Sequence, residues 1–456
     1  MVQKRVDYQA LARSDQRHLL HPLHHPSQHQ GAPIWVAGEG AIMRDVHGRE
    51  FLDGLGGLWN VNVGHGRREL AEAAAQQMST LAYCSSYAGS ANVPAIRLAE
   101  RLAELAYPSL NTVYFASGGA ESNESAFKTA RFYWKARGKP DKVKVISRYY
   151  AYHGVTLATM SATGMPAYWP MFEPRVPGFV HIDPPYSYYF NKAKPGETVG
   201  QAAARLLEEA ILREGPDTVA AFIAEPVQGA GGVIVPPDDY FPQVREICSR
   251  YDVLLIADEV ITGFGRTGEW FALTHWDIEP DIMSFAKGVT SGYLPLGGIL
   301  ISDEIAEVIN GVPPERRWMH AYTYSGHPTC CAVGLKNLEI IEREGLVQRA
   351  AEGGKRLLQG LSTLYSLPAV GEVRGLGMMA AVELVADREV KKPFDPAQKV
   401  GERVYRAMFE RGLFTRTRGD VICLAPPLVT TDAQLDRIVQ IVGEAIEAAV
   451  PSEVRA

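Results

Sequence analysis

Cysteine is scarce: 456 residues hold five, Cys84, Cys248, Cys330, Cys331 and Cys423. The count is odd, two are adjacent, and no CxxC occurs. A disulfide framework, a zinc ribbon and a thioredoxin-type redox pair are therefore excluded. The thiols read as buried or half-buried side chains in a reducing cytoplasm. Long apolar runs are missing as well. Stretches such as Val219 to Ala224 fall far short of the roughly 20 residues that a membrane-spanning helix needs, so no membrane association is expected. The first thirty residues carry Lys4, Arg5, Asp7, Arg13, Asp15 and Arg17 and no apolar segment, so no signal peptide is expected. Positive charge is not in excess: 46 Lys and Arg face 52 Asp and Glu, a net charge of −6. That balance argues against a nucleic-acid or anionic-membrane partner. The strand-to-helix turn over Ser117 to Glu124 is neither GxGxxG nor GxxxxGK followed by Ser or Thr, which leaves a dinucleotide fold or a P-loop NTPase unsupported there. Fixed-period repeats are lacking too, which removes solenoids and propellers.

What is present is an ordinary globular balance, 46% hydrophobic and 21% charged, in a chain long enough for two or three lobes. Residues 34 to 53 read as a small antiparallel meander punctuated by Gly38-Glu39-Gly40 and His47-Gly48. From about residue 66, amphipathic helices alternate with short apolar strands: Asn111 to Phe115, Lys142 to Ile146, Val219 to Ala224, Val253 to Ala257 and Asp281 to Ala286. Val-, Ile- and Leu-rich runs separated by helices predict an α/β fold around a mostly parallel sheet buried on both faces. Beyond about 326, long helices precede strands at Met378 to Leu384 and Val421 to Leu424 and a last helix over Thr431 to Ala449, an α+β lobe.

Four features lie in order on the sheet lobe. Ser117-Gly118-Gly119-Ala120-Glu121 joins a strand to a long helix, where small residues let backbone N–H groups approach an anion. Taken alone it is as readily a plain turn. Tyr149-Tyr150-Ala151-Tyr152-His153-Gly154 follows a strand and offers an aromatic to a flat ligand, or merely to the core. Val253 to Ala257 ends in Asp258-Glu259, which aims carboxylates into the crevice outside the strand ends. Asp258 there suits a magnesium ion or a protonated ring nitrogen, and the phosphate loop that would accompany magnesium is missing. Lys287 ends the strand Asp281 to Phe285 among apolar and small residues, where desolvation lowers an amine's pKa and makes it a candidate imine-forming group. Together, a phosphate cradle, a stacking aromatic, an acid for a pyridinium nitrogen and a reactive lysine are the parts of a pyridoxal 5'-phosphate site.

At this point the chain is identified by resemblance. Glu225-Pro226-Val227-Gln228-Gly229-Ala230-Gly231-Gly232, Asp258 to Gly268, Asp281 to Gly288 and His320 to Pro328 resemble the class III pyridoxal phosphate aminotransferases, and the likeness runs from His18 to Leu428. The resemblance implies fold type I: residues 66–325 as the large cofactor domain, with 1–65 and 326–456 forming the small domain. It also implies a homodimer with shared active sites, its pairing into a tetramer left open. Lys287 matches the Schiff-base lysine, Asp258 the ring-nitrogen partner, and Tyr152 the stacking aromatic with Val260 on the opposite face. Gly118, Gly119 and Ala120 match the phosphate turn, Thr323 the threonine that reaches the phosphate from the other subunit, and Glu225 a glutamate credited with orienting an arginine. Ala120 stands where many relatives have a hydroxyl, so its contact is expected from the backbone alone.

Ile261 stands where ornithine, γ-aminobutyrate and dialkylglycine enzymes place Gln, and it is similar to the ω-amine:pyruvate transaminases. Leu23, Trp59, Tyr152 and Ala230 match that group's pocket lining, with Tyr87 entering from the partner subunit. Arg416 aligns with the mobile arginine for a substrate carboxylate, with Arg418 as the competing register. The expected activity is ping-pong transfer from an amine to pyruvate. The rival readings are a β-alanine, polyamine or diaminopelargonate transaminase, a decarboxylating relative, and a non-catalytic scaffold on this fold. The histidines at 18, 21, 24, 25 and 29 are not expected to bind metal, since that stretch shows no accompanying carboxylate.

Overall fold

The computed structural model describes residues 7–29, 31–451 and 454. Its central sheet has seven strands, in the order Leu110–Ala116, Gly297–Ser302, Ile282–Phe285, Leu254–Asp258, Val219–Ala224, Lys144–Arg148, Phe179–Ile182. Gly297–Ser302 runs antiparallel to both neighbours, and the other strands all point the same way. This is the mostly parallel α/β arrangement of fold type I.

Every residue of Val219–Ala224 is buried. The period of two divides each strand between two cores. Phe222, Leu255 and Met283 pack with Leu207, Tyr240 and Val244 on one face. Ala221, Ile223, Leu254 and Ile256 pack with Ala126, Phe127 and Ala130 of the helix Gly119–Ala136 on the other. Burying each large aliphatic side chain contributes about 1.5–3 kcal/mol, so the strands read as unbroken apolar runs.

Among the elements that escaped the sequence reading are the strands Phe179–Ile182 and Gly297–Ser302 and the helices Tyr8–His18, Val199–Glu214 and Asp303–Gly311. Gly297-Gly298 had read as small residues trailing the lysine. They open a strand because the chain passes too close for a side chain. A Cβ on Gly298 would stand 2.4 Å from the Tyr114 carbonyl oxygen, and one on Gly297 would stand 2.8 Å from Ser122 Oγ.

The meander forms as Trp35–Glu39, Ile42–Asp45 and Glu50–Asp53, and its last strand pairs in parallel with Leu413–Phe414 from far down the chain. A third sheet holds Val370–Leu376, Met379–Leu384, Val421–Leu424 and Arg416–Arg418, all antiparallel. The helices Leu346–Ser362, Val400–Glu410 and Asp432–Ala449 pack around it. All five cysteines are unpaired, four of them buried. Among the described residues no helix is long and apolar enough to cross a membrane.

Candidate active site

Parallel strands put their carboxyl ends on one edge of the sheet, and the polar residues singled out in the sequence sit there. Asp258 closes Leu254–Asp258, Glu225 follows Val219–Ala224, Tyr152 follows Lys144–Arg148, and Lys287 follows Ile282–Phe285.

Asp258 is buried and tightly held. Its Oδ2 accepts from His153 Nδ1 at 2.7 Å and from Asn123 Nδ2 at 2.8 Å. Its Oδ1 accepts from the Val260 N–H at 3.1 Å. Asn123 also donates to the His153 carbonyl at 2.8 Å, which ties the Tyr152–His153 loop to the helix Gly119–Ala136. His153 Nε2 and Asn123 Oδ1 are buried without a hydrogen-bond partner. Such orphaned atoms are rare in folded proteins and cluster at functional sites.

Lys287 is partly buried at the start of a short 3₁₀ turn, with φ +46°. For a lysine that left-handed conformation costs about 1–2 kcal/mol. Burial lowers its ammonium to about 8, against the upward pull of Asp258 and Glu225 and with a smaller downward push from Arg416. Glu225 is buried, and desolvation raises it to about 7, His153 opposing and Asp258 assisting. Its carboxylate accepts the N–H groups of Tyr152 and Gly229, each at 3.0 Å. The guanidinium bonded to its backbone carbonyl is that of Arg148. No ion pair joins Glu225 to Arg416 among the described residues.

The turn before Gly119–Ala136 suits an anion. A Cβ on Gly118 would meet nothing within 4 Å. As first-turn residues of the helix, Gly119 and Ala120 have N–H groups without intrahelical partners. Gly119 is also a close-approach glycine: a Cβ there would stand 2.9 Å from Val260 Cγ1. Tyr152 is half-buried beside Tyr168, ring centroids 5.9 Å apart. Desolvation raises both phenols, and the charge of Arg416 pulls both down, as it does the Lys287 ammonium, so its field reaches all three groups. Arg416 forms no ion pair among the described residues, whereas Arg418 lies over the Tyr150 ring at 4.3 Å.

The remaining candidates are placed differently. Ala230 is buried. Trp59 is 2% exposed, packed with Val227 and Ile261, and its Nε1 has no partner. Leu23 and Tyr87 are exposed at 72% and 73%. Tyr87 lines a wide opening with Tyr114, Glu121, Trp318 and Tyr322. Thr323 is exposed, its carbonyl bonded to Tyr83 Oη at 2.7 Å. The expectation that no carboxylate joins the N-terminal histidines does not hold: the helix Tyr8–His18 brings Asp15 against His21 and His29.

Sequence reasoning had quoted Asn123 and His153 inside motifs without giving either a role, and it missed Tyr168. A histidine next to the stacking tyrosine was the available signal for His153. Tyr168 sits in a Pro-flanked loop with no periodicity to mark it. The set fits a phosphorylated pyridine ring. Vacant amides at Gly119 and Ala120 lie by Val260, a three-donor carboxylate is oriented beside an orphaned histidine nitrogen, and a lysine of lowered pKa ends the neighbouring strand.

A family profile for class III aminotransferases matches residues 26–446. The diaminobutyrate–2-oxoglutarate transaminase of Halomonas elongata is 44% identical over 420 residues, covering 90% of each chain. The putrescine–pyruvate aminotransferase of Pseudomonas aeruginosa is 42% identical over 447 residues, covering 97% of this chain and 96% of the relative. A thermostable (S)-enantioselective omega-transaminase from Thermomicrobium roseum is 48% identical, covers 97% of this chain and 99% of its own, and superposes with a TM-score of 0.94.

Proposed function

The chain belongs to the class III aminotransferases, a family dependent on pyridoxal phosphate, and from that premise we propose that it moves an amino group from a primary ω-amine or ω-amino acid to pyruvate in a ping-pong cycle. The observation that carries this reading is Arg416. Among the described residues it is an arginine without a carboxylate partner, and its charge acts on Tyr152, Tyr168 and Lys287. A keto acid brings a carboxylate that this guanidinium can grip in bidentate fashion, and a plain amine brings none. The relative named for putrescine–pyruvate activity supports the same donor and acceptor classes, and the omega-transaminase supports the donor class.

Bound at this site, pyridoxal phosphate supplies an electron sink that carries the amino group between donor and acceptor. The N–H groups of Gly119 and Ala120 would hold its phosphate, joined by Thr323 of the second subunit, and Tyr152 and Val260 would flank its ring. Asp258, held by His153, Asn123 and the Val260 amide, would keep a proton on the ring nitrogen. Lys287 would anchor the aldehyde group, and its free Nζ would take the proton from the substrate carbon and return it, a task suited to an amine with a pKa of about 8. The aromatic walls of Tyr152 and Tyr168 keep water from the reacting carbon.

The protein works as a homodimer in the cytoplasm. Leu81, Tyr87, Val93, Ile96, Met319 and Tyr324 leave an unusual amount of apolar surface uncovered in the single chain. Tyr83 links the two segments that carry them, through Thr323 and the ring of Tyr324.

Arg416→Ala tests the assignment. An unpaired carboxylate in this pocket costs several kcal/mol. The kcat/KM for pyruvate should fall by about 2–4 kcal/mol of transition-state binding, a factor of about thirty to a thousand. The half-reaction with an alkyl or aryl amine, followed by cofactor absorbance, should change far less. Equal losses in both half-reactions would make Arg416 structural. A wild-type preference for 2-oxoglutarate over pyruvate would replace the acceptor.

A further inference from the structure

The N-terminal segment brings together three groups that the transamination chemistry does not use. The helix Tyr8–His18 carries Asp15, and the chain turns back so that His21 and His29 both face its carboxylate. His21 Nε2 lies 3.0 Å from both Asp15 oxygens, and His29 Nε2 lies 3.6 Å from Oδ2. The two imidazoles stack, centroids 3.4 Å apart and planes 22° apart, and both Nε2 atoms lie by the Asp15 carboxylate. The three ligand atoms lie within 4.8 Å of one another. Tetrahedral zinc, with bonds of about 2.0–2.2 Å to nitrogen and carboxylate oxygen, spaces its ligands by about 3.4 Å. Each of the three side chains is only 22–24% exposed, and together they line a pocket with Tyr8, Ala12 and Gln16.

Hydrogen bonding explains only part of this arrangement. One His21 N–H is shared between two oxygens, and the His29 contact is longer than a hydrogen bond. His24 and His25 are engaged elsewhere, with the Pro22 carbonyl and with Ser27. We infer that Asp15, His21 and His29 form a divalent-cation site of the zinc class, with an open fourth position toward the pocket. Two neutral imidazoles and a carboxylate are a donor set that zinc favours over magnesium or calcium. The ion would clip the helix to the following turn, closing a loop that contains Leu23 at φ +63°.

The test uses the full-length, tag-free, cofactor-loaded enzyme, dialysed against a chelator and titrated with zinc chloride in competition with a chromophoric zinc indicator. The expected result is one zinc per chain. Asp15→Asn, His21→Gln and His29→Gln should each weaken binding by at least about tenfold, whereas the His24→Gln/His25→Gln pair should leave it unchanged. Zinc should also slow tryptic cleavage after the exposed Arg17 in the wild type and not in His29→Gln. Substoichiometric binding overturns the site. So does affinity that falls with the His24/His25 pair and survives Asp15→Asn, or cleavage that zinc leaves unchanged in the wild type.

Discussion

Lys287 is where one residue's environment decides most. Burial lowers its amine to about 8, more than two units below an ordinary lysine. In the apoprotein the neutral amine is therefore half present near pH 8, almost complete about one pH unit above it, and falls about tenfold per pH unit well below it. Labelling by an amine-reactive reagent, read at Lys287 by mass spectrometry, should have its midpoint near pH 8 and a plateau about one pH unit higher. Surface lysines keep rising toward about 10.4. A Lys287 profile that follows the surface lysines would remove the burial argument. Asp258 depends on its neighbours in a different way. Asp258→Asn should slow proton transfer at the substrate carbon by about a hundred- to ten-thousandfold in single turnovers, because an amide cannot hold the ring-nitrogen proton. His153→Ala leaves the carboxylate in place but removes its 2.7 Å donor. The loss should be smaller, about tenfold, with a shifted pH profile and unchanged amine KM. A loss in KM alone would make His153 part of the substrate wall.

The helix Gly119–Ala136 shows what one element contributes. It begins at Gly118, with no side-chain cap on its first turn. Some other helix starts are capped, as at Thr198 and Thr431, which each complete a capping box, and at Ser302, which accepts from Ile305 N–H, and others, such as those after Gly345 and Lys399, are not, so it is the place of this open start at the sheet edge that matters. A start left open at a functional edge is a position for an anion. Gly119→Ala would improve intrinsic helix propensity by up to about 1 kcal/mol. The added methyl nevertheless stands 2.9 Å from Val260 Cγ1 and pushes that side chain toward the ring position. Overpacking of this kind costs about 1–3 kcal/mol, so cofactor retention should weaken about five- to a hundredfold while the apoprotein melts within about 2 °C of wild type. Equilibrium dialysis against pyridoxal phosphate, beside a melting curve, separates the two. Unchanged retention would show that Val260 does not bear on the ring.

For the whole molecule, the question is which chain completes which site. Thr323 is exposed and bonded through its carbonyl to Tyr83, and Tyr87 is exposed beside the same segment. Both read as contributions to a second copy. Subunits carrying Lys287→Ala mixed with subunits carrying Thr323→Ala should form heterodimers with one restored site, seen as tight cofactor retention that neither parent shows. Retention equal to the average of the two parents would mean that each chain builds its own site.

Local pattern determined a good deal. Strand-end polarity marked Asp258, Glu225 and Lys287, because a buried parallel strand can end in a polar group only where it leaves the sheet. The switch between periods of two and 3.6 marked most strands and helices, and the motifs marked the family. It did not mark Gly297–Ser302, where close approach to Tyr114 replaced apolar alternation with glycine. Only the tertiary structure decided which groups meet. Asn123 reaches Asp258 across 135 residues and His153 reaches it across 105, distances at which spacing along the chain carries no signal. The same holds for the choice between Arg416 and Arg418. They are two residues apart on one strand and share a face, yet one is left without a carboxylate beside Tyr152 and the other is stacked on Tyr150. Asp15 met its histidines only because the chain reverses after His18. Convergence of side chains is a property of the folded backbone, and periodicity reports only which way each one faces.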